Sequence, residues 1–167
     1  MPALERLEAI GLSLPAPPEP AGVYTRAVRA GDLLFVSGQL PIAEGKMVYA
    51  GKVGTDLGVE QGYEACKLCA LNALSILAAE VGSLDGIRQI VRLSGFVCSA
   101  EGFTDQANVV NGASDLMSQV LEARGVHARL AVGVAALPLG AAVELEVIAQ
   151  VNSVSYTHLT LPTICSV

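Results

Sequence analysis

The chain has 167 residues, of which 52% are hydrophobic and only 16% are charged. One domain is the expectation at this length, and so little charge predicts that subunit interfaces cover part of the apolar surface. The formal net charge is −6 with only ten Lys and Arg residues. This balance disfavours nucleic-acid binding, which depends on basic residues that neutralise phosphates.

Nothing in the sequence predicts a membrane helix or a secretory signal. The longest apolar run, residues 68–79, is interrupted by Asn72 and Ser75 and falls short of the roughly 18 residues that a membrane helix needs. The first 14 residues contain three charged side chains, which a secretory signal would not place in its apolar part. We therefore expect a cytoplasmic protein whose four cysteines stay reduced.

The N-terminal third of the chain predicts a short helix, a linker and three short strands. Apolar residues at helical spacing predict an amphipathic helix over residues 2–12. Four prolines within residues 15–20 predict an extended linker, because proline lacks the N–H group that a helix needs. Runs of β-forming residues predict strands over residues 24–28 and 33–36, a turn at Ala30-Gly31-Asp32 between them, and a weaker strand over residues 47–53.

The middle and C-terminal parts predict two long helices that alternate with strands. Residues 59–81 predict a mostly buried helix that ends at Gly82, because its polar side chains form one stripe: Glu60, Glu64, Lys67 and Ser75. The periodicity then predicts a strand over residues 87–98, a helix over 103–123 closed by Gly125, and strands over 130–136 and 142–151. This order predicts an α+β architecture with two helices packed on one face of a mixed sheet.

The last 16 residues differ from the domain that precedes them. Residues 152–167 contain no acidic or basic side chain other than one histidine, lose the strand alternation and include Pro162. We expect an extension outside the domain, either a translated cloning artefact or a native tail that packs on a neighbour. The expected organisation is a helix and linker over residues 1–20, a domain over 21–151 and a tail over 152–167.

The cysteine and histidine motifs do not by themselves predict a site. Cys66 and Cys69 form a C-x-x-C pair inside a predicted helix, whereas a redox pair needs a helix N-terminus and a zinc site needs two further ligands. We therefore expect these thiols to fill the core. His158 lies in the tail. His127 would have to serve any Ser-His or Cys-His hydrolase, and the sequence lacks a G-x-S-x-G elbow.

Three charged residues in the apolar C-terminal strands are candidates for a site. Arg129 stands at the start of a strand, where its planar guanidinium either binds a carboxylate through two parallel hydrogen bonds or forms a surface ion pair. Glu144 and Glu146 are two residues apart, so they share one face of their strand. Because a buried charge is costly, that face is either exposed to solvent or lines a polar pocket.

Several blocks between residues 21 and 151 resemble one known family, the RidA/YjgF family of reactive-intermediate (imine/enamine) deaminases, which includes the L-PSP-type endoribonucleases. The order and spacing of the blocks agree with that family: Tyr24, Leu34-Phe35-Val36-Ser37-Gly38-Gln39-Leu40-Pro41, Ala128-Arg129, Leu137-Pro138 and Val143-Glu144-Leu145-Glu146-Val147-Ile148-Ala149. The N-terminal helix and the stretch Asn111-Gly112-Ala113-Ser114 resemble a divergent subgroup.

The resemblance implies a fold, an assembly and a reaction. The fold would be chorismate-mutase-like, assembled as a homotrimer with ligand clefts between subunits. In these clefts 2-imino or enamine acids would be hydrolysed to 2-keto acids and ammonia, without a metal or other cofactor. Arg129 would take the place of the arginine that binds the substrate carboxylate, and Glu144 that of the acidic residue associated with the catalytic water. The implied substrate-binding residues are Tyr24, Ser37, Gly38, Asn111 and Ala131.

The sequence departs from the family pattern around the arginine. His127, Leu130 and Ala131 stand where the family more often has Pro, a Ser-like residue and Cys. A non-catalytic protein of the same fold that binds a keto-acid or amino-acid metabolite is therefore the alternative function. An RNA-directed endoribonuclease or translation inhibitor is a further alternative, which the acidic composition and the scarcity of aromatic residues disfavour.

Overall fold

The computed structural model describes residues 1–154, so most of the tail, with His158 and Cys165, lies outside the described residues. The described part contains three α-helices, which are α1 (Ala3–Ala9), α2 (Val59–Val81) and α3 (Gln106–Leu121). It also contains seven strands: β1 (Ala27–Ala30), β2 (Leu33–Gln39), β3 (Ile42–Ala43), β4 (Lys46–Met47), β5 (Ile87–Cys98), β6 (Ala128–Val134) and β7 (Val143–Val151).

Five of the strands form one mixed sheet, in the order β1-β2-β7-β5-β6. β6 runs parallel to β5, and the other neighbouring pairs are antiparallel. The helices α2 and α3 pack against each other and against one face of this sheet. The predicted architecture, a mixed sheet with two helices on one face, is confirmed, and the hydrophobic core lies between these two layers.

Two glycines determine where α2 ends and how closely it packs on α3. Gly82 terminates α2 in the left-handed region at φ 89°, a conformation that glycine adopts without steric cost. The backbones of the two helices touch at Gly112, where a Cβ atom would lie 2.0 Å from the carbonyl oxygen of Tyr63. Only glycine at this position therefore lets the two helix backbones approach so closely.

The N-terminal helix α1 packs on α3 and on the turn that precedes β5. Ala3 and Leu7 have no exposed surface, and Arg6 donates a hydrogen bond of 2.7 Å from Nε to the carbonyl oxygen of Val120 near the end of α3. The proline-rich segment that follows contains no helix or strand, as predicted.

The prediction of a strand over residues 47–53 is wrong. Only Met47 belongs to a strand, as part of the two-residue hairpin of β3 and β4, and the segment after it bends. Gly51 and Gly54 adopt φ values of 113° and 105°, far from the φ of about −120° to −140° that regular β-strands have. Ala50 and Val53 form only isolated bridges, with Ala141 next to β7 and with Leu57 and Ser99, the latter next to β5, so the segment does not extend the sheet.

Smaller differences concern element ends and one side chain. β1 begins at Ala27, three residues after the predicted start at Tyr24, and β6 begins and ends two residues before the predicted limits. α3 begins at Gln106, and the segment after it forms a 3-10 turn that ends at Gly125. Ser75, assigned to the polar stripe of α2, is only 3% exposed and donates a hydrogen bond of 2.7 Å to the carbonyl oxygen of Asn72.

Candidate functional site

The two glutamates of β7 lie on the face of the sheet that no helix covers. β7 alternates between fully buried residues, such as Val143 and Leu145, and half-buried ones, such as Glu144 and Glu146. The buried set packs on the helices, so both carboxylates point away from them. Glu144 and Glu146 line a depression of about 360 Å³ together with Val36, Ser37, Gly38, Phe96 and Leu137. The face of the sheet that carries Glu144 and Glu146 therefore forms one side of a partly apolar pocket.

A bulge in β2 brings its backbone against the Glu144 carboxylate. Val36 pairs with Val147 and Gln39 pairs with Leu145, so β2 has one more residue than β7 over this interval. A Cβ atom on Gly38, inside the bulge, would lie 2.1 Å from Oε1 of Glu144. The absence of a side chain at this position therefore makes room for the carboxylate.

A buried amide supports the loop that follows the bulge. Asn72 on α2 is 2% exposed, and its Nδ2 donates hydrogen bonds of 3.2 and 2.9 Å to the carbonyl oxygens of Leu40 and Ile42. The polar residue that interrupts the apolar run of α2 thus anchors the chain just beyond Ser37 and Gly38.

Burial raises the pKa of the Glu144 carboxyl above its ordinary value, because desolvation penalises the charged form. In the described part of the chain no ion pair compensates for this loss of hydration. Glu144 therefore holds a proton more strongly than a solvent-exposed glutamate, and its carboxylate form is the stronger base.

Arg129 lies elsewhere, at the edge of the sheet on the helix side. Its Nη1 donates hydrogen bonds of 2.6 Å to Oδ1 of Asn111 and 3.2 Å to Oγ of Ser114, both on α3. Within residues 1–154 the guanidinium forms no ion pair, so the alternative of a surface ion pair finds no support there. Asn111 in turn donates to Oδ1 of Asn108 over 3.3 Å.

Tyr24 and Ala131 are the remaining site residues implied by the family resemblance. Tyr24 is 55% exposed, in the segment before β1, and borders a second depression that also includes Ser37 and Gly38. Ala131 lies opposite Gly95 on the helix side of β6, two residues beyond Arg129, and packs against the core. The structure thus brings Ser37 and Gly38 near Glu144, with Tyr24 in the adjoining depression, and Asn111 and Ala131 near Arg129.

Within one chain, Arg129 and Glu144 do not lie in the same pocket. Arg129 pairs with Leu93 of β5, whereas Glu144 pairs with Phe96 of the same strand. Leu93 is fully buried under the helices, and Phe96 lies on the other face. Arg129 and Glu144 are therefore on opposite faces and two strands apart, a lateral separation of about 10 Å.

Sequence reasoning missed two neighbours of Arg129, Ser114 and His127. Oγ of Ser114 and Nε2 of His127 are 2.9 Å apart, and Nδ1 of His127 is 2.6 Å from the carbonyl oxygen of Gly125. Ser114 and His127 are 13 residues apart in the sequence, on different elements. The one sequence signal was the replacement of the family's more frequent Pro by His127.

The predicted core role of the C-x-x-C thiols is confirmed. Cys66 and Cys69 are fully buried in α2, and burial raises the pKa of the Cys66 thiol to about 12. Burial also raises the pKa of the Cys69 thiol well above its ordinary value, so neither is a reactive thiolate near neutral pH. No cluster of three metal-ligating side chains occurs in residues 1–154.

Comparison with known proteins shows which family the chain belongs to. The family model described as "YjgF/chorismate mutase-like, putative endoribonuclease" matches residues 4–151. The chain belongs to the YjgF family. Protein TCP17 of Trypanosoma cruzi is 44% identical over 148 residues, which cover 88% of this chain and 92% of that protein. The RutC family protein y4sK of Sinorhizobium fredii is 33% identical over 131 residues, covering 78% and 89%.

A solved structure has the same fold as this chain. The crystal structure of protein Atu1372 from Agrobacterium tumefaciens, described as having unknown function, superimposes with a TM-score of 0.85 at 42% identity. The match covers 90% of this chain and 92% of Atu1372. None of the helices in residues 1–154 combines the length and apolar character needed to cross a bilayer.

Proposed function

We propose that this YjgF-family chain hydrolyses reactive 2-imino and enamine acids to 2-keto acids and ammonia. The observation that carries the proposal is the state of Arg129. Its Nη1 donates to two acceptors on α3, whereas its Nε and Nη2 donate to no other residue within residues 1–154. The Nε–Nη2 edge of a guanidinium matches the two oxygens of a carboxylate, the group that every 2-imino acid carries.

Glu144 supplies the second function that the reaction requires. An imino acid has an electrophilic C=N carbon, which water attacks to form a carbinolamine. Glu144 accepts a proton from the attacking water and delivers it to the nitrogen, which completes the carbinolamine. It then takes the proton of the new hydroxyl group and passes it to the same nitrogen, so that the C–N bond breaks, ammonia leaves and the C–O bond becomes the keto group. A carboxyl with a raised pKa suits both roles, because it is basic enough to accept the proton and readily holds it.

The two residues come from different copies of the chain in this proposal. Arg129 and Glu144 lie on opposite faces of the sheet within one chain, so a cleft that contains both requires a neighbour. The uncovered face is rich in apolar side chains, including Val28 and Phe35, which are 57% and 40% exposed. Such a face favours burial against another copy, in agreement with the homotrimer implied by the family resemblance.

The remaining implied residues line this cleft from its two sides. Asn111 positions Arg129, and Ala131 lies two residues beyond Arg129 on the same strand. Ser37 and Gly38 line the pocket on the glutamate side, and Tyr24 lines the adjoining depression that shares these two residues. The electrophilic imine carbon needs no further activation, so the proposed reaction uses no metal or organic cofactor.

An endoribonuclease reaction, which the family description names, is not the function proposed here. The depression that contains Glu144 and Glu146 is lined by no basic side chain of residues 1–154, and the chain as a whole carries a net charge of −6. This charge repels phosphates instead of neutralising them.

We also propose a cytoplasmic location, which the free thiols of Cys66, Cys69 and Cys98 support and which cell fractionation tests.

The direct test supplies the unstable substrate from an amino-acid dehydratase and follows keto-acid formation above the spontaneous rate. We expect Arg129→Ala to lower kcat/KM at least about 100-fold, because it removes charge-assisted hydrogen bonds to the carboxylate. Arg88→Ala, at an exposed position of β5, is the matched control with unchanged activity. Wild-type protein that binds keto acids but adds nothing to the spontaneous rate would instead show the non-catalytic binding function.

A further inference from the structure

His127, Ser114 and Arg129 form a chain of hydrogen bonds that leads from the backbone to the guanidinium. Nδ1 of His127 is 2.6 Å from the carbonyl oxygen of Gly125, Nε2 is 2.9 Å from Oγ of Ser114, and Oγ is 3.2 Å from Nη1 of Arg129. All three side chains are near the start of β6 or on the facing side of α3.

The chemistry of the groups determines the direction of each hydrogen bond. A carbonyl oxygen only accepts, so Nδ1 of His127 carries the proton, and Nε2 of the neutral ring is an acceptor. The hydroxyl of Ser114 therefore donates to Nε2. Arg129 is always a donor, so the lone pairs of Ser114 Oγ accept from its Nη1. Every donor in this chain has an acceptor.

Ser114 has an unusual orientation for a serine within a helix. Such a hydroxyl commonly donates to a backbone carbonyl three or four residues earlier, as Ser75 does in α2. The hydroxyl of Ser114 instead lies between His127 and Arg129. The histidine thus keeps the oxygen lone pairs turned towards the arginine.

We propose that Ser114 and His127 are positioning residues that orient the Arg129 guanidinium for carboxylate recognition. This inference rests on the proposed function, in which Arg129 binds the substrate carboxylate. With Asn111 as its only acceptor, the guanidinium plane could rotate about the Nη1–oxygen axis. The second acceptor, Ser114, prevents this rotation and keeps the Nε–Nη2 edge directed at the ligand. A carboxylate, which needs both donors at once, gains more from this order than a ligand that uses one donor.

The test measures ligand affinity by titration calorimetry on the full chain, with 2-oxobutanoate and its neutral amide as probes. We expect Ser114→Ala and His127→Phe each to weaken 2-oxobutanoate binding about tenfold, while the much weaker binding of the amide changes less than twofold. The double variant should be no weaker than either single variant, because both changes break the same chain. In the hydrolysis assay KM should rise while kcat stays within about twofold.

Two further variants separate positioning from general effects on the fold. Ser118→Ala, at an exposed position one turn along α3, should leave both affinities unchanged. Ser114→Thr retains the hydroxyl and should keep most of the affinity for 2-oxobutanoate. Wild-type affinity in Ser114→Ala, or an equal loss for acid and amide, would overturn the positioning role while leaving the proposed function intact. Failure of Arg129→Ala to weaken 2-oxobutanoate binding would overturn the proposed function itself, and the positioning role with it.

Discussion

Replacing Gly38 by alanine perturbs the contact between the β2 bulge and the carboxylate of Glu144. The added Cβ atom would lie 2.1 Å from Oε1, 3.0 Å from Cδ and 3.2 Å from Cγ of Glu144. Real Cβ atoms do not approach other heavy atoms closer than 3.0 Å, so Oε1 must move by at least about 1 Å. The backbone does not oppose the change, since Gly38 is outside the left-handed region.

We expect this variant to fold and to lose activity. The clash involves only the end of a flexible, half-buried side chain, so the carboxylate can rotate away at little cost to stability. A displacement of about 1 Å of a catalytic group lowers the rate about 100-fold. The loss should appear in kcat, because the Arg129 side of the cleft still binds the carboxylate of the substrate.

The assay is keto-acid formation from dehydratase-generated imine, with Gly58→Ala as the matched control. A Cβ atom at Gly58 meets nothing within 4 Å, so this variant should keep full activity. In the Gly38→Ala, Glu144→Asp double variant the shorter side chain retracts the carboxylate, and kcat should exceed that of Gly38→Ala alone. A wild-type kcat in Gly38→Ala would refute the catalytic role assigned to Glu144 at this position.

Two further predictions concern stability. Glu144→Gln should abolish turnover and raise the free energy of unfolding at pH 7 by about 0.5 kcal/mol. Because the pKa of Glu144 is raised in the folded state, ionisation of this carboxyl lowers the stability of the wild type at neutral pH. The stability gain of the variant should therefore vanish as the pH falls to about 4.3, the pKa of a glutamate in the unfolded chain. A gain that persists at pH 3 in chemical unfolding would contradict this cause. Leu7→Ala, at a position with no exposed surface, should lower the free energy of unfolding by about 2–4 kcal/mol, whereas a loss below 1 kcal/mol in urea unfolding would mean that α1 is not part of the cooperative fold.

The elements predicted best from the sequence are those determined by local chemistry and by a long hydrophobic pattern. α2 matches its predicted limits because Gly82 can adopt the left-handed conformation that ends a helix, and its apolar residues exceed what one helix face can hold. The strand over residues 47–53 was predicted wrongly because β-forming residues surround Gly51 and Gly54, and their positive φ values depend on contacts outside the segment.

The sequence named individual candidate site residues, but their relative positions depend on the register of the strands. Alternation placed Glu144 and Glu146 on one face, yet it could not say whether that face was covered by the helices. The opposite orientations of Arg129 and Glu144 follow from their pairing with Leu93 and Phe96 of β5, which local sequence does not specify. The contact between Ser114 and His127 could not be predicted from either segment alone, because the two residues lie on different elements that meet only in the folded chain.

The most direct measurement of the central claim mixes two inactive variants, Arg129→Ala and Glu144→Gln, in one oligomer. Each cleft in the proposed trimer takes its arginine from one copy and its glutamate from a neighbour. Random assembly of equal amounts then gives about a quarter of the clefts both intact residues, so co-expressed variants should recover about a quarter of the wild-type imine hydrolysis. Activity no higher than that of the separate variants would contradict a cleft shared between copies.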